Sequence, residues 1–110
     1  MTNDRMKKSI KNLISHRATS EKNIEKYLTK RVEESGGICL KYSNASMTGY
    51  PDRVVLLPGG KTLWIELKSK GEKPTPLQII RHKMMGNIGH QVYVADSHES
   101  IDKILGEHEL

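Results

Sequence analysis

The sequence predicts an α/β domain, a small mixed β-sheet flanked by helices in the order α-β-β-β-α-β-α. Three observations carry that reading. Two apolar runs, Asp52-Arg-Val-Val-Leu-Leu57 and Lys61-Thr-Leu-Trp-Ile-Glu-Leu-Lys68, are separated by Pro58-Gly59-Gly60, the pattern of a β-hairpin. Two stretches with apolar residues at helical spacing lie either side of that hairpin, and each stops at glycine. The chain has 110 residues, of which 35% are hydrophobic and 28% charged, with no phenylalanine; that is enough for one domain with a modest core.

The elements follow in order. Residues 1 to 18 are rich in Lys, Arg, Asn and Ser, yet Met6, Ile10, Leu13 and Ile14 fall on one helical face, so a basic amphipathic helix or arm precedes a single domain spanning 19 to 110. Thr19 and Ser20 offer N-cap oxygens for a helix over about residues 20 to 35. Ile24, Leu28 and Val32 form its buried stripe, with Tyr27 at one edge and Glu21 and Glu25 bordering it on opposite sides. Gly36-Gly37 ends it, and Ile38 to Tyr42 reads as a first strand. Ser43 to Pro51 is a polar loop leading to the hairpin, and Ser69 to Lys73 is a charged loop after it. Thr75 as N-cap and Pro76 at the first helical position start the next helix. Leu77, Ile80, Met84 and Ile88 are expected to be its buried stripe, flanked by Gln78, Arg81, His82 and Met85, with Gly89 as the stop. Gln91 to Ala95 is a fourth strand, and Ser97 caps a final helix carrying Ile101, Ile104 and Leu105.

Composition narrows the setting. No apolar stretch approaches the roughly 20 residues that span a bilayer, and Lys7-Lys8 is not followed by the apolar core of a secretory signal. Cys39 is the only cysteine, so no internal disulfide can form and a cytoplasmic location is expected. A net charge of +5 points to a polyanionic partner, most often nucleic acid.

The hairpin brings chemistry to one end. If Pro58-Gly59-Gly60 is the loop, Leu57 faces Lys61 and Asp52 falls opposite Glu66; with a two-residue Gly59-Gly60 turn, Asp52 would instead face Leu67. The continuous apolar runs do not choose between the two registers. Strand side chains alternate with a period of two, so Glu66 and Lys68 share a face. Facing carboxylates are destabilising and resist joint ionisation unless a cation lies between them. The pair Asp52 and Glu66, with Lys68 beside it, reads either as a divalent-metal site or as two solvated strand ends with a salt bridge. The histidines at 16, 82, 90, 98 and 108 have no zinc-site spacing; His82 is expected at the surface, with a place facing the site from the Gln78 helix as its alternative, Cys39 as a small buried strand residue and Trp64 in the core. Lys41, Arg53, Lys61, Lys70, Lys73, Arg81 and Lys83 are candidates for phosphate contacts.

Taken together, Ser20-Glu21-Lys-Asn-Ile24 opening the first helix, Gly49-Tyr-Pro-Asp52, Ile65-Glu66-Leu67-Lys68, and Pro76-Leu77-Gln78 opening the next helix resemble the VRR-NUC domains, a branch of the PD-(D/E)xK nuclease superfamily. The match runs from Ser20 to about Leu105, and the restriction-endonuclease-like core of that superfamily is the expected fold. The compactness is typical of stand-alone, virus-associated members, so a phage or prophage source is expected. The resemblance implies Mg²⁺- or Mn²⁺-dependent hydrolysis of phosphodiester bonds in DNA. Carried onto this chain, it makes Asp52, Glu66 and the backbone carbonyl of Leu67 metal ligands. Lys68 would orient the attacking water or neutralise developing charge, and Gln78 would position water or substrate. Glu21 matches the family's leading acidic position and would approach the same centre, with Glu25 as its alternative. Branched DNA such as a four-way junction is the preferred substrate, and symmetric cleavage of a junction suggests a homodimer. A non-catalytic DNA-binding module, and a nuclease acting on RNA or on DNA ends, are the alternatives.

Overall fold

A computed structural model of the protein describes residues 20–110; the basic arm expected over 1 to 18 lies outside the described residues. The elements are α1 (Glu21–Glu34), β1 (Ile38–Lys41), β2 (Arg53–Leu57), β3 (Lys61–Leu67), α2 (Pro76–Asn87), β4 (Gln91–Ala95) and α3 (His98–Gly106). Their order is the expected α-β-β-β-α-β-α, arranged as a four-stranded sheet in the order β1-β2-β3-β4. Neighbouring pairs β1/β2 and β2/β3 are antiparallel, and β3/β4 is parallel. A parallel neighbour needs a crossover, and α2 supplies it.

Local chemistry sets the helix boundaries. Ser20 caps α1 by accepting from the Asn23 N–H at 3.3 Å, and Ser97 caps α3 by accepting from Ser100 N–H at 3.0 Å. Each cap satisfies an amide that the first helical turn leaves without a partner, an arrangement contributing about 1 kcal/mol.

One face of the sheet carries the core. Val55 and Leu57 of β2, Leu63, Ile65 and Leu67 of β3, and Ala95 of β4 pack against Ile24, Leu28 and Val32 of α1 and Ile101, Ile104 and Leu105 of α3. Complete burial of a Leu, Ile or Val contributes roughly 1.5–3 kcal/mol, so this layer dominates the stability. Tyr27 on α1 ties the two helices: its hydroxyl donates to Asp102 Oδ1 at 2.6 Å and its ring stacks on His98 at 4.0 Å.

The other face corrects one expectation. On α2 the stripe Leu77, Ile80, Met84 and Ile88 is exposed, from 40% at Leu77 to 76% at Ile88. The helix instead turns Gln78, Arg81, His82 and Met85 inward, with Met85 buried. Polar bonds made by Gln78 and Arg81 fix this rotation, which apolar periodicity alone does not anticipate. Cys39 and Trp64 are half-buried rather than fully enclosed, and burial pushes the Cys39 thiol up from its usual value.

Candidate active site

The turn between β2 and β3 sets the position of every group in the site. Gly59 and Gly60 adopt left-handed backbone, with φ of 83° and 79°, a region that costs other residues roughly 1 kcal/mol or more. Leu57 pairs with Lys61 and Arg53 with Ile65, so the connection is the three-residue loop, and the next step of the ladder sets Asp52 opposite Glu66. The Leu67 N–H donates to Asp52 Oδ1 at 3.0 Å, and the Tyr42 N–H donates to the Asp52 carbonyl at 2.8 Å. Asp52 is thereby held between β1 and β3 at the mouth of the hairpin.

Glu66 is only 5% exposed. Its Oε1 accepts from Gln78 Nε2 at 2.9 Å and lies 3.8 Å from Lys68 Nζ, while Oε2 is buried without a protein partner. Burial, and next the charge of Asp52, push the Glu66 carboxyl up to about 7, with Lys68 acting in the opposite direction. A buried carboxylate beside another, with one oxygen open, is suited to a hard divalent cation: oxygen donors in small number leave coordination positions for water or phosphate. Among the described residues no group of three or more His, Cys, Asp and Glu side chains converges. A cation here would therefore rest on Asp52, Glu66, backbone oxygen and water.

The helices complete the surroundings. Gln78 is the third residue of α2, where its Oε1 accepts from the Thr75 N–H at 2.9 Å and its own N–H donates to Thr75 Oγ1 at 3.2 Å. That reciprocal cap fixes the amide whose other end reaches Glu66. On α1 the two acidic candidates separate. Glu25 Oε2 lies 2.9 Å from Arg53 Nη2 and Glu25 Oε1 3.3 Å from Lys41 Nζ. Burial raises the Glu25 carboxyl, but the charges and hydrogen bonds of Arg53 and Lys41 outweigh it and hold it below its usual value. Glu21 is exposed at the start of the helix and acts on Glu66 through its charge alone.

Two residues lie elsewhere than the sequence reading favoured. His82, expected at the surface, is half-buried one turn beyond Gln78, with Nε2 buried and unpartnered. Burial, and then the charge of Lys68, lower its affinity for a proton. Its spacing of four from Gln78 was the available signal. Arg53, a phosphate candidate in the sequence, is 7% exposed and engaged with Glu25, which removes it from the DNA-facing set. Arg81 is likewise occupied: Nε donates to the Thr48 carbonyl at 3.1 Å and the guanidinium lies 5.2 Å over Tyr50. Lys61 sits at the hairpin turn, the end of the sheet away from Asp52.

Comparison with known proteins follows the same lines. No family model matches the chain. A solved chain described as a VRR_NUC domain superposes with a TM-score of 0.76 at 35% sequence identity, covering 84% of this chain and 100% of that one. A second solved chain, a VRR_NUC domain protein, has a TM-score of 0.63 and covers 79% of this chain and 85% of its own; at 18% identity it speaks for the fold alone. Among curated proteins, "Putative nuclease p44" of Acyrthosiphon pisum secondary endosymbiont phage 1 is 45% identical over 83 residues, which is 76% of this chain and 89% of that protein. With the hairpin register, the placement of Asp52, Glu66, Lys68 and Gln78, and relatives matched over most of their length, this chain belongs to the VRR-NUC family.

Proposed function

We propose that the protein is a metal-dependent nuclease, a structure-selective DNA endonuclease that uses Mg²⁺ or Mn²⁺ on branched DNA such as a four-way junction. The observation that carries this reading is the Asp52–Glu66 pair at the hairpin mouth, with Glu66 Oε2 buried and unpartnered. Similarity to a phage protein named as a nuclease supports the same reading. Asp52, Glu66 and the Leu67 carbonyl would hold the cation. The chemistry supplied by a cation held there would be polarisation of the scissile phosphate and a bound water of lowered pKa. Lys68, held beside Glu66, offsets charge that develops on the phosphate oxygens. Gln78 holds the Glu66 carboxylate through its Nε2 and would position water or substrate. Glu21, whose neighbour Glu25 is occupied by Arg53 and Lys41, would be the carboxylate of α1 that serves the site.

Branch selectivity rests on what a small sheet can cover. Among the described residues no recognisable motif for reading base edges stands out, which favours DNA shape as the property sensed. Paired cuts across a junction need two sites related by a two-fold axis, and the apolar face of α2 is suited to a homodimer contact. Among the described residues no helix is long and apolar enough to cross a membrane, and the proposed place of action is the cytoplasm of a bacterial host.

The test is incubation of the purified protein with a labelled four-way junction and a matched linear duplex, in Mg²⁺, Mn²⁺ or EDTA, beside Glu66→Ala. Metal-dependent paired nicks confined to the junction and absent from the variant are expected. Equal cutting of both DNAs removes the branch selectivity, and binding without cutting in any metal overturns the nuclease reading.

A further inference from the structure

We infer that Arg53 is a positioning residue for Asp52, and that Glu25 on α1 holds Arg53 in place. The inference rests on the reading of Asp52 as a metal ligand and adds two residues to it. Asp52 Oδ1 is fixed by the Leu67 N–H at 3.0 Å. Its other oxygen, Oδ2, lies 3.5 Å from Arg53 Nη1, and the same Nη1 donates to the Asp52 carbonyl at 2.8 Å. The far nitrogen, Nη2, meets Glu25 Oε2 at 2.9 Å. One planar guanidinium thus spans from helix α1 to the first carboxylate of the hairpin, so Asp52 has a hydrogen bond at one oxygen and an ion-pair contact at the other. Oδ1 accepts one hydrogen bond and Oδ2 has an ion-pair contact alone, which leaves lone-pair capacity for a cation.

Burial argues that this is more than a surface ion pair. The Arg53 side chain is 9% exposed, and its Nε is buried without a partner. A buried charge with an unsatisfied donor is costly, and apolar replacements of buried ion pairs are often as stable or more so. Strand parity explains the geometry. Arg53 points to the α1 face of the sheet while Asp52, one residue earlier, belongs to the face of Glu66. Only a long forked side chain can turn back past its own backbone to reach both Asp52 and Glu25.

The inference makes a prediction whose sign separates it from simple electrostatics. A positive charge beside Asp52 weakens the attraction between Asp52 and a cation. If charge were all Arg53 supplied, Arg53→Met would tighten metal binding and Arg53→Lys would leave it unchanged. A positioning role demands the opposite: both variants bind the metal more weakly. Supports of a metal ligand typically contribute on the order of 10-fold to 100-fold in affinity.

The experiment is Mn²⁺ titration of the full chain without DNA, followed by electron paramagnetic resonance of free Mn²⁺, for wild type, Arg53→Lys, Arg53→Met, Glu25→Gln and Asp52→Asn. Thermal melts define a temperature at which each is folded. Glu25→Gln keeps the shape of the contact and covers the case in which the Arg53 variants do not fold. The expected result is binding about 10-fold weaker or worse in the Arg53 variants, a smaller loss in Glu25→Gln, and no binding in Asp52→Asn. Unchanged Mn²⁺ affinity in folded Arg53→Lys and Glu25→Gln, with binding still lost in Asp52→Asn, overturns the positioning role and leaves the metal site standing. Equal affinity in wild type and Asp52→Asn, or none in wild type, overturns the site itself and the inference with it.

Discussion

Gln78 and Glu66 are joined side chain to side chain, Nε2 donating to Oε1 at 2.9 Å, while the other end of the same amide caps helix α2 at Thr75. The start of α2 and the buried acid of β3 are therefore one unit. The cap decides which way the amide points, and the amide decides which oxygen of Glu66 remains open.

Gln78→Ala removes both contacts. Loss of the reciprocal cap costs about 1 kcal/mol, and Glu66 loses its neutral donor. The variant is expected to melt several degrees lower by circular dichroism and to cleave more slowly at saturating Mg²⁺. Gln78→Asn, too short to reach Glu66, should behave alike in cleavage. Full activity in both variants would show that the Glu66 contact is dispensable.

Glu66 makes stability depend on pH with a definite sign. Burial, and then the charge of Asp52, raise its carboxyl from 4.5 to about 7. Between those values the folded protein holds a proton that the unfolded chain has released, so stability falls as pH rises from about 4.5 through about 7. Each unit is worth about 1.4 kcal/mol before relaxation and screening reduce it, so Glu66→Gln is expected to stabilise the metal-free protein by roughly 1–3 kcal/mol at pH 8. The gain should shrink near pH 5. Melts of both proteins in EDTA at the two pH values check this, and a pH-independent difference would contradict the raised pKa. Protons compete with metal at the same oxygen, so Mn²⁺ affinity should rise with pH up to about 7 and level off beyond it.

Gly49 holds the loop that delivers Asp52. Its φ is 96°, and an added Cβ would lie 2.9 Å from both Arg81 Cγ and Leu77 Cγ. Gly49→Ala combines left-handed strain with a clash against α2, an expected loss of about 1–3 kcal/mol. The Arg81 bond to the Thr48 carbonyl breaks with it, so hydrogen exchange should quicken at residues 43–51 before the core amides respond. Protection equal to wild type in that loop would mean the clash is absorbed elsewhere.

Much of this molecule was legible in its residues because the signals were local. Thr75-Pro76 and Ser97 mark helix starts, Gly36-Gly37 and Gly89 mark stops, and a ladder with a fixed period carries Asp52 to Glu66 once the loop length is known. The loop length itself was open, since uninterrupted apolar strands look alike in either register. The rotation of α2 misled because Leu77, Ile80, Met84 and Ile88 have a more regular apolar period than the face that packs. Gln78 and Arg81 win that contest through bonds to Glu66 and Thr48, partners 12 and 33 residues away. Arg53 was misread for a related reason. A basic residue beside an acidic site suggests phosphate, and nothing in the local sequence says that Glu25 closes over it.

The exposed face of α2 supplies the final test. Ile80 is 55% and Ile88 76% exposed, with Leu77, Ile79 and Met84 alongside. Contiguous apolar surface of this kind is a common mark of an association site. If two copies meet here, Ile80→Glu should disrupt the dimer, seen as loss of the concentration-dependent species in sedimentation velocity. A side chain already half in water contributes little to the monomer, so the fold should change by no more than about 0.5 kcal/mol. Mn²⁺ affinity should stay as in wild type, because Ile80 points away from Glu66. Cleavage of a four-way junction then separates two functions: paired cuts should fall while single nicks persist, since each monomer keeps its Asp52 and Glu66. A variant that still dimerises would move the contact to another surface, and one that remains a competent paired cutter as a monomer would remove the need for two-fold symmetry.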